Sequence, residues 1–163
     1  MKKPGPPTLV QDNAVKINES KWSKTLMSAG WTVVPNVLLV RQKALGLEPL
    51  DINILLHLMQ HWWRKDDKPH PSKKTIADAI GVAPRTIQRR IAAMEKLGFI
   101  ARQERRVGGK ASLTNIYHLD GLVTVMKPYA QEMIEGIKKK ADDRAALRAK
   151  KGRPHLKVIE AEE

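Results

Sequence analysis

Residues 72–106, SKKTIADAIGVAPRTIQRRIAAMEKLGFIARQERR, constrain the fold of this chain more than any other stretch. Ser72 stands where a helix N-cap belongs, because its hydroxyl can accept from a free N–H of the first turn. The helix it opens runs through Ile80, and Gly81 supplies a turn. Pro84 then sits where a first helical residue tolerates its missing N–H. In the helix that follows, Ile87, Ile91, Met94 and Leu97 are spaced four, three and three, so they share an inward face. Gly98 is placed as its C-cap. Phe99–Arg106 and Asn115–Leu119 are expected to pair as a small β-hairpin around VGGKASLT.

Turning those four apolar residues inward fixes what faces out. Arg85, Thr86, Gln88, Arg89 and Ala92 fall on the opposite side, concentrated in the first two turns. The N-terminal half of such a helix reaches deepest into a DNA major groove. There Arg can grip guanine and Gln can grip adenine through paired hydrogen bonds, and a Thr methyl can touch thymine. Arg85, Thr86, Gln88 and Arg89 are therefore the candidate base readers. Arg90 lies nearer the flank, suited to a phosphate or to an ion pair with Asp78 or Glu95. Ser72, Lys73 and Thr75 begin the preceding helix, whose free N–H groups suit a phosphate, although Ser72 also has its capping role. At the hairpin tip, Arg105, Arg106 and Lys110 surround Gly108 and Gly109. The glycines allow close approach and the cations suit phosphate or minor groove. The plain alternative is a solvated tip that happens to be basic.

Charge supports this reading through its distribution. The chain of 163 residues has a formal net charge of +13. Residues 70–113 hold ten Lys/Arg against three Asp/Glu, residues 138–153 hold eight against two, and the rest balances. Cations in blocks are the electrostatic signature of a polyanion partner. The absence of cysteine removes disulfides and thiolate metal sites. No apolar run is long enough to span a bilayer, and nothing at the start resembles a signal peptide, so a soluble, cytoplasmic, nucleoid-associated protein is expected.

Three segments are expected: an N-terminal arm over 1–29 lacking regular structure, a globular unit over 30–121, and a C-terminal helix with a basic tail over 122–163. In the arm, KKPGPP blocks regular structure and the following stretch has no helical period. Pro35 starts a helix through Leu45 closed by Gly46. Pro49 opens another in which Ile52, Leu55, Leu56, Met59 and Trp63 form an inward stripe, leaving Trp62 more open. His57 and His61 have the spacing of paired metal ligands but no evident third ligand, so no metal site is expected. No catalytic set and no cofactor motif is visible. In the last helix, Leu122, Met126, Tyr129, Met133 and Ile137 form a stripe suited either to packing on the domain or to pairing with a second copy, and pairing is the reading taken. Beyond it, Lys138, Lys139, Lys140, Arg144 and Arg148 suit additional phosphates or an ordinary solvated helix face.

The segment TIADAIGVAPRTIQRRIAAMEKLGFI resembles the winged helix-turn-helix of bacterial transcription regulators and of plasmid or phage replication proteins. GWTVVPNVLLV, LGLEPLDINILLHLMQHWW and TNIYHL are similar to the same group, so the resemblance spans about residues 30–121. It implies a mainly α fold, a winged helix-turn-helix with a small β-hairpin wing and a C-terminal helical extension. It implies the recognition role for Arg85, Thr86, Gln88 and Arg89 and the wing role for Arg105 to Lys110. The plain phage-repressor pattern expects an apolar residue three after Ile87, where this chain has Arg90. The expected function is sequence-specific binding of double-stranded DNA as a dimeric repressor. A replication-initiation or mobile-element protein that recruits another protein, and a non-specific nucleic-acid adaptor, are the alternatives.

Overall fold

The core is built from apolar residues at helical spacing. The computed structural model describes residues 11–107, 111–112 and 114–150, with side chains over 14–105 and 114–148. Its helices are α1 (Gln11–Trp22), α2 (Lys24–Ala29), α3 (Asn36–Val40), α4 (Pro49–Met59), α5 (Lys73–Ile80), α6 (Pro84–Lys96) and α7 (Asp120–Lys150). Its strands are β1 (Ala101–Gln103), β2 (Arg106–Val107), β3 (Ala111–Ser112) and β4 (Ile116–His118). Leu38 of α3, Ile54, Leu55 and Leu58 of α4, Ile76 of α5, Ile87, Ile91 and Met94 of α6, Tyr117 of β4 and Leu122 of α7 are all buried in one cluster. Helix α4 is apolar over most of its circumference and supplies the centre, as a helix enclosed by neighbours requires.

The wing is an antiparallel hairpin with Ala101 opposite His118, Arg102 opposite Tyr117 and Gln103 opposite Ile116. Pairing resumes nearer the tip, where Arg106 faces Ser112 and Val107 faces Ala111. Part of the stretch expected as loop is therefore strand. The Tyr117 N–H donates to the Pro69 carbonyl at 2.8 Å, tying the wing base to the segment before α5. Burial pushes the Tyr117 phenol pKa up, so it stays neutral. The mainly α fold with a hairpin wing and a C-terminal helix is as expected.

The structure differs from the expected one in several places. The arm is helical from Gln11: α1 and α2 meet at Ser23, whose φ is 80° and whose hydroxyl accepts from the Leu26 N–H. No residue from 14 to 30 is buried. Helix α1 is mostly polar and α2 has only six residues, so neither offered a sustained apolar period to reveal it. The helix after Pro35 stops at Val40, and tight turns carry the chain to Gly46. Leu45 and Leu47 are buried there all the same, and the Gln42 amide bonds the Leu47 carbonyl at 3.1 Å.

Trp62 and Trp63 exchange roles. Beyond Met59 the backbone tightens, with His61 N–H bonding the Leu58 carbonyl and Trp62 N–H the Met59 carbonyl. At three residues per turn, Trp62 falls above Met59 and packs against the core. Trp63 turns outward, 42% exposed and edge-on to Trp31. Leu97, expected inside, is 54% exposed because α6 ends there and Phe99 takes the inward place.

The stripe of α7 is largely occupied within the chain. Leu122 and Met126 are buried in the core, Tyr129 and Met133 pack against it, and α7 lies along α3. Arg41 of the turn after α3 pairs with Glu132 at 2.9 Å. The stripe is therefore buried at Leu122 and Met126 and partly covered at Tyr129 and Met133, and Ile137, 65% exposed, lies beyond it.

Candidate nucleic-acid interface

The two helices of the reading unit meet at a left-handed glycine. Gly81 has φ 81° and ψ 35°, a conformation open to glycine at no steric cost. Its N–H and that of Val82 both return to the Ala77 carbonyl, at 2.9 and 3.0 Å. Pro84 then opens α6 in the first-turn position. Ile76 and Ala77 of α5 and Ile87, Ile91 and Met94 of α6 are buried, so the opposite face of α6 is forced outward.

On that outward face Arg85, Gln88 and Arg89 are exposed and Thr86 is half-buried. No described residue pairs with Arg85 or Arg89, so both guanidiniums keep all their donors for a ligand. Ser72 caps α5 by accepting from the Thr75 N–H at 2.9 Å, and the two hydroxyls lie 2.7 Å apart. Lys73 reaches across to α6 and donates to Gln88 Oε1 at 3.2 Å. The residues singled out at the start of α5 and on α6 are thus brought onto one surface.

Arg90 is the exception. Its Nε donates to Asp51 Oδ1 at 2.7 Å, Nη2 also engages the Asp51 carboxylate, and Nη1 lies 3.0 Å from Glu48 Oε1. The hydrogen bond to Asp51 holds the Arg90 guanidinium pKa above its ordinary value. The expected partners are engaged elsewhere: Asp78 with Lys74, and Glu95 with Arg102. Both edges of the Arg90 fork are thus engaged within the domain, by a different pair of acids from the two expected.

Asp51 itself was not legible as important. It is 2% exposed, and its carboxylate accepts the Glu48 N–H at 2.9 Å while gripping Arg90. The available signal was an acid within the otherwise apolar run PLDINILLHLM. Lys and acid residues of this kind are almost never fully buried unless paired.

At the wing, Arg102 of β1 is clamped to Glu95 of α6: Nε donates at 2.9 Å, Nη2 engages the same oxygen, and the Arg102 N–H reaches Oε1 at 3.3 Å. Arg105 spans the hairpin, with Nε donating to the Thr114 carbonyl at 3.2 Å. Arg106 lies in β2. Gly108, Gly109 and Lys110 lie outside the described residues. Lys138, Lys139, Lys140, Arg144 and Arg148 are all exposed on α7. Among the described residues no group of three or more His, Asp or Glu is placed to hold a metal, and no helix is long and apolar enough to cross a membrane.

Residues 45–100, from the turn before α4 to the end of the α5–α6 unit, match the family model of the helix-turn-helix domain. The matched stretch contains the whole α5–turn–α6 unit, with the geometry of a helix-turn-helix. In helix-turn-helix proteins that bind DNA, the second helix of such a unit lies in the major groove. Similar solved structures include the N-terminal domain of the DnaD protein from Geobacillus kaustophilus HTA426, 23% identical, with 74% of this chain and 96% of that chain covered at a TM-score of 0.48. A possible transcriptional regulator from Methanosarcina mazei Go1 is 14% identical, with 66% and 85% covered at a TM-score of 0.43. No curated protein sequence matches this chain.

The Glu95–Arg102 clamp joins the helix-turn-helix to its wing, and it has a pH signature. The hydrogen bond from Arg102 holds the Glu95 carboxyl below its ordinary value. A depressed carboxyl stabilises the fold above its unfolded pKa, and that contribution is lost as pH falls through the folded value. Glu95→Gln is therefore expected to lower stability by about 1 kcal/mol near neutral pH, an estimate kept small because both side chains are partly exposed. The difference from the parent should shrink in acid, below about pH 4. Denaturant titrations of both chains across pH check this. A gap that stays constant down to pH 2 contradicts the clamp.

Proposed function

We propose that this protein binds double-stranded DNA sequence-specifically through α6 and acts as a transcription regulator, a repressor that occupies an operator. The observation that carries the reading is the outward face of α6: Arg85, Gln88 and Arg89 are exposed in its first two turns, the two arginines have no partner among the described residues, and the opposite face is locked in the core. Arg85 and Arg89 take base edges, Gln88 and Thr86 adjoin them, and Ser72, Lys73 and Thr75 at the start of α5 take phosphate. The wing from Arg105 to Lys110 grips the flanking backbone. The exposed cations of α7 from Lys138 to Arg148 add sequence-independent attraction. In this reading residues 30–121 carry recognition, and the helices before and after them serve assembly or partner contacts. The protein would work in a prokaryotic or phage-infected cytoplasm, on the nucleoid.

Selection of bound duplexes from a random library at physiological salt tests the reading directly. Enrichment of one motif is expected. Arg85→Ala and Arg89→Ala should each weaken that motif by roughly 5- to 150-fold, the equivalent of about 1–3 kcal/mol, and relax preference at one base pair each. Lys139→Ala should weaken all sequences alike and reduce the salt dependence. Equal loss of selected and random binding in Arg85→Ala would remove α6 as the reader.

An enriched inverted repeat, with half-sites roughly 34–36 Å apart, would support a dimeric repressor. One observation favours a second reading, in which the protein marks a replication origin or mobile element and recruits a different protein. The α7 stripe expected to bind a twin is already packed on its own domain from Leu122 to Met133. Tandem direct repeats would support that reading. Tight, salt-sensitive binding without enrichment would leave a non-specific adaptor.

A further inference from the structure

We propose that Asp51 is a positioning residue for DNA recognition, fixing the roll of α6 and hence the direction in which Arg85 and Arg89 leave the protein. The inference rests on the DNA-binding reading above and deepens it. The contacts that hold α6 down, through Ile87, Ile91 and Met94, are apolar. Apolar attraction is non-directional and scales with area, so it resists separation of the helix more than small rotations about its axis. Base reading is far less tolerant. At the ~5–6 Å outer radius of a helix, a roll of ~20° displaces a side chain by ~2 Å. Useful hydrogen bonds span a window of only about 0.5 Å in length.

Two directional polar links hold α6: the Glu95–Arg102 clamp at its C-terminal end and the Arg90–Asp51 link, which is the one beside the reading residues. Arg90 follows Arg89 directly and projects from the flank of α6, between the buried and reading faces. Its planar fork allows little freedom once two donors are engaged. Asp51 cannot follow a rolling helix, because it is 2% exposed and its Oδ2 also holds the Glu48 N–H at the start of α4. The restraint therefore runs from the backbone of α4, through a buried carboxylate, to the side of α6. The other polar link to the reading face, Lys73 to Gln88, joins a half-buried residue to an exposed one and is correspondingly weaker. A buried ion pair adds little net stability over an apolar replacement, and fixing a unique arrangement is the role that would explain its presence here.

Asp51→Asn keeps the shape and removes the charge, and Arg90→Lys keeps the charge and removes the fork. Each is compared with the full-length parent in three measurements. These are cooperative thermal unfolding, amide hydrogen exchange across residues 84–91 of the free protein, and affinity for the selected duplex against a random duplex of equal length. The expected result for Asp51→Asn is a folded protein with faster exchange in α6 and random-duplex affinity within about threefold of the parent. Its ratio of selected to random affinity should fall about tenfold or more, with preferences at the Arg85 and Arg89 positions broadening together. Arg90→Lys should shift the ratio in the same direction by less.

A purely structural role predicts equal losses on both duplexes, and that result overturns the proposal, as does faster exchange with an unchanged ratio. If Asp51→Asn is unfolded at the assay temperature, Arg90→Lys decides: a lowered ratio supports the proposal and an unchanged one overturns it. If the parent itself selects no duplex, the DNA reading falls first. The exchange data then still report separately whether Asp51 restrains α6.

Discussion

Gly121→Ala is expected to destabilise the protein by about 3 kcal/mol or more, at the upper end for overpacking. Gly121 lies in the first turn of α7, where that helix crosses the junction of α6 and β1. A Cβ there would stand 1.9 Å from the Gly98 carbonyl oxygen, 3.0 Å from its carbon and 3.5 Å from the Phe99 carbonyl oxygen. All three atoms are backbone, so no side chain can swing aside. The neighbouring Leu122 N–H donates to the Phe99 carbonyl at 3.0 Å, which pins α7 at this distance. Making room for a methyl breaks that bond and lifts Leu122, fully buried, out of the core. Relief on the other side is blocked too, because Gly98 has φ 74° and belongs to the stop of α6.

Gly136→Ala is the internal comparison. A Cβ at Gly136 meets nothing within 4 Å, and alanine in a helix interior is favoured over glycine, so that change should stabilise by roughly 0.5–1 kcal/mol. Guanidinium titrations of the two variants and the parent measure the contrast. Equal midpoints for Gly121→Ala and the parent would refute the close crossing of α7 over Gly98.

Arg90→Met is expected to cost about 3 kcal/mol, for a different reason. It leaves the Asp51 carboxylate 2% exposed with its two guanidinium bonds gone and only the Glu48 N–H remaining. Breaking one side of a buried pair is more costly than removing both, because the uncompensated charge stays behind. The low end of the usual range applies, since Arg90 is 19% exposed and water can follow it in. The double variant Asp51→Leu with Arg90→Met should recover most of the loss, to within about 1–2 kcal/mol of the parent. Equilibrium unfolding of the parent, both single variants and the double variant forms a thermodynamic cycle. If the single and double variants are equally destabilised, the pair acts only as packing. Recovery of stability without recovery of duplex selectivity is the signature expected if the pair restrains α6.

How much could be read without a structure differed by region, for physical reasons. The α5–α6 unit was legible because its determinants are local: a serine cap at Ser72, a left-handed glycine at Gly81, Pro84 at a helix start, and apolar steps through Ile87, Ile91 and Met94. Each is decided within a turn or two of chain, and together they place Arg85, Gln88 and Arg89 outward. Leu97 and Trp63 were misplaced because a periodic stripe predicts burial only while the helix continues. Both residues stand where the backbone has already turned. Helix α1 was missed because a mostly polar helix carries no apolar period, and α2 because six residues are too few to show one.

The sequence by itself therefore determined the helix-turn-helix, its exposed arginines, the strand pair at the base of the wing and the two blocks of positive charge. Only the tertiary structure decided the partners that lie far apart in the chain. Arg90 finds Asp51 39 positions away, on another helix. Gly121 must be small because Gly98 passes beneath it. The α7 stripe, apolar enough for a twin or for its own domain, packs on the domain along α3, with Arg41 reaching Glu132 at the edge of the contact. Periodicity specifies that a face is buried; which surface buries it depends on topology, which local sequence patterns do not encode.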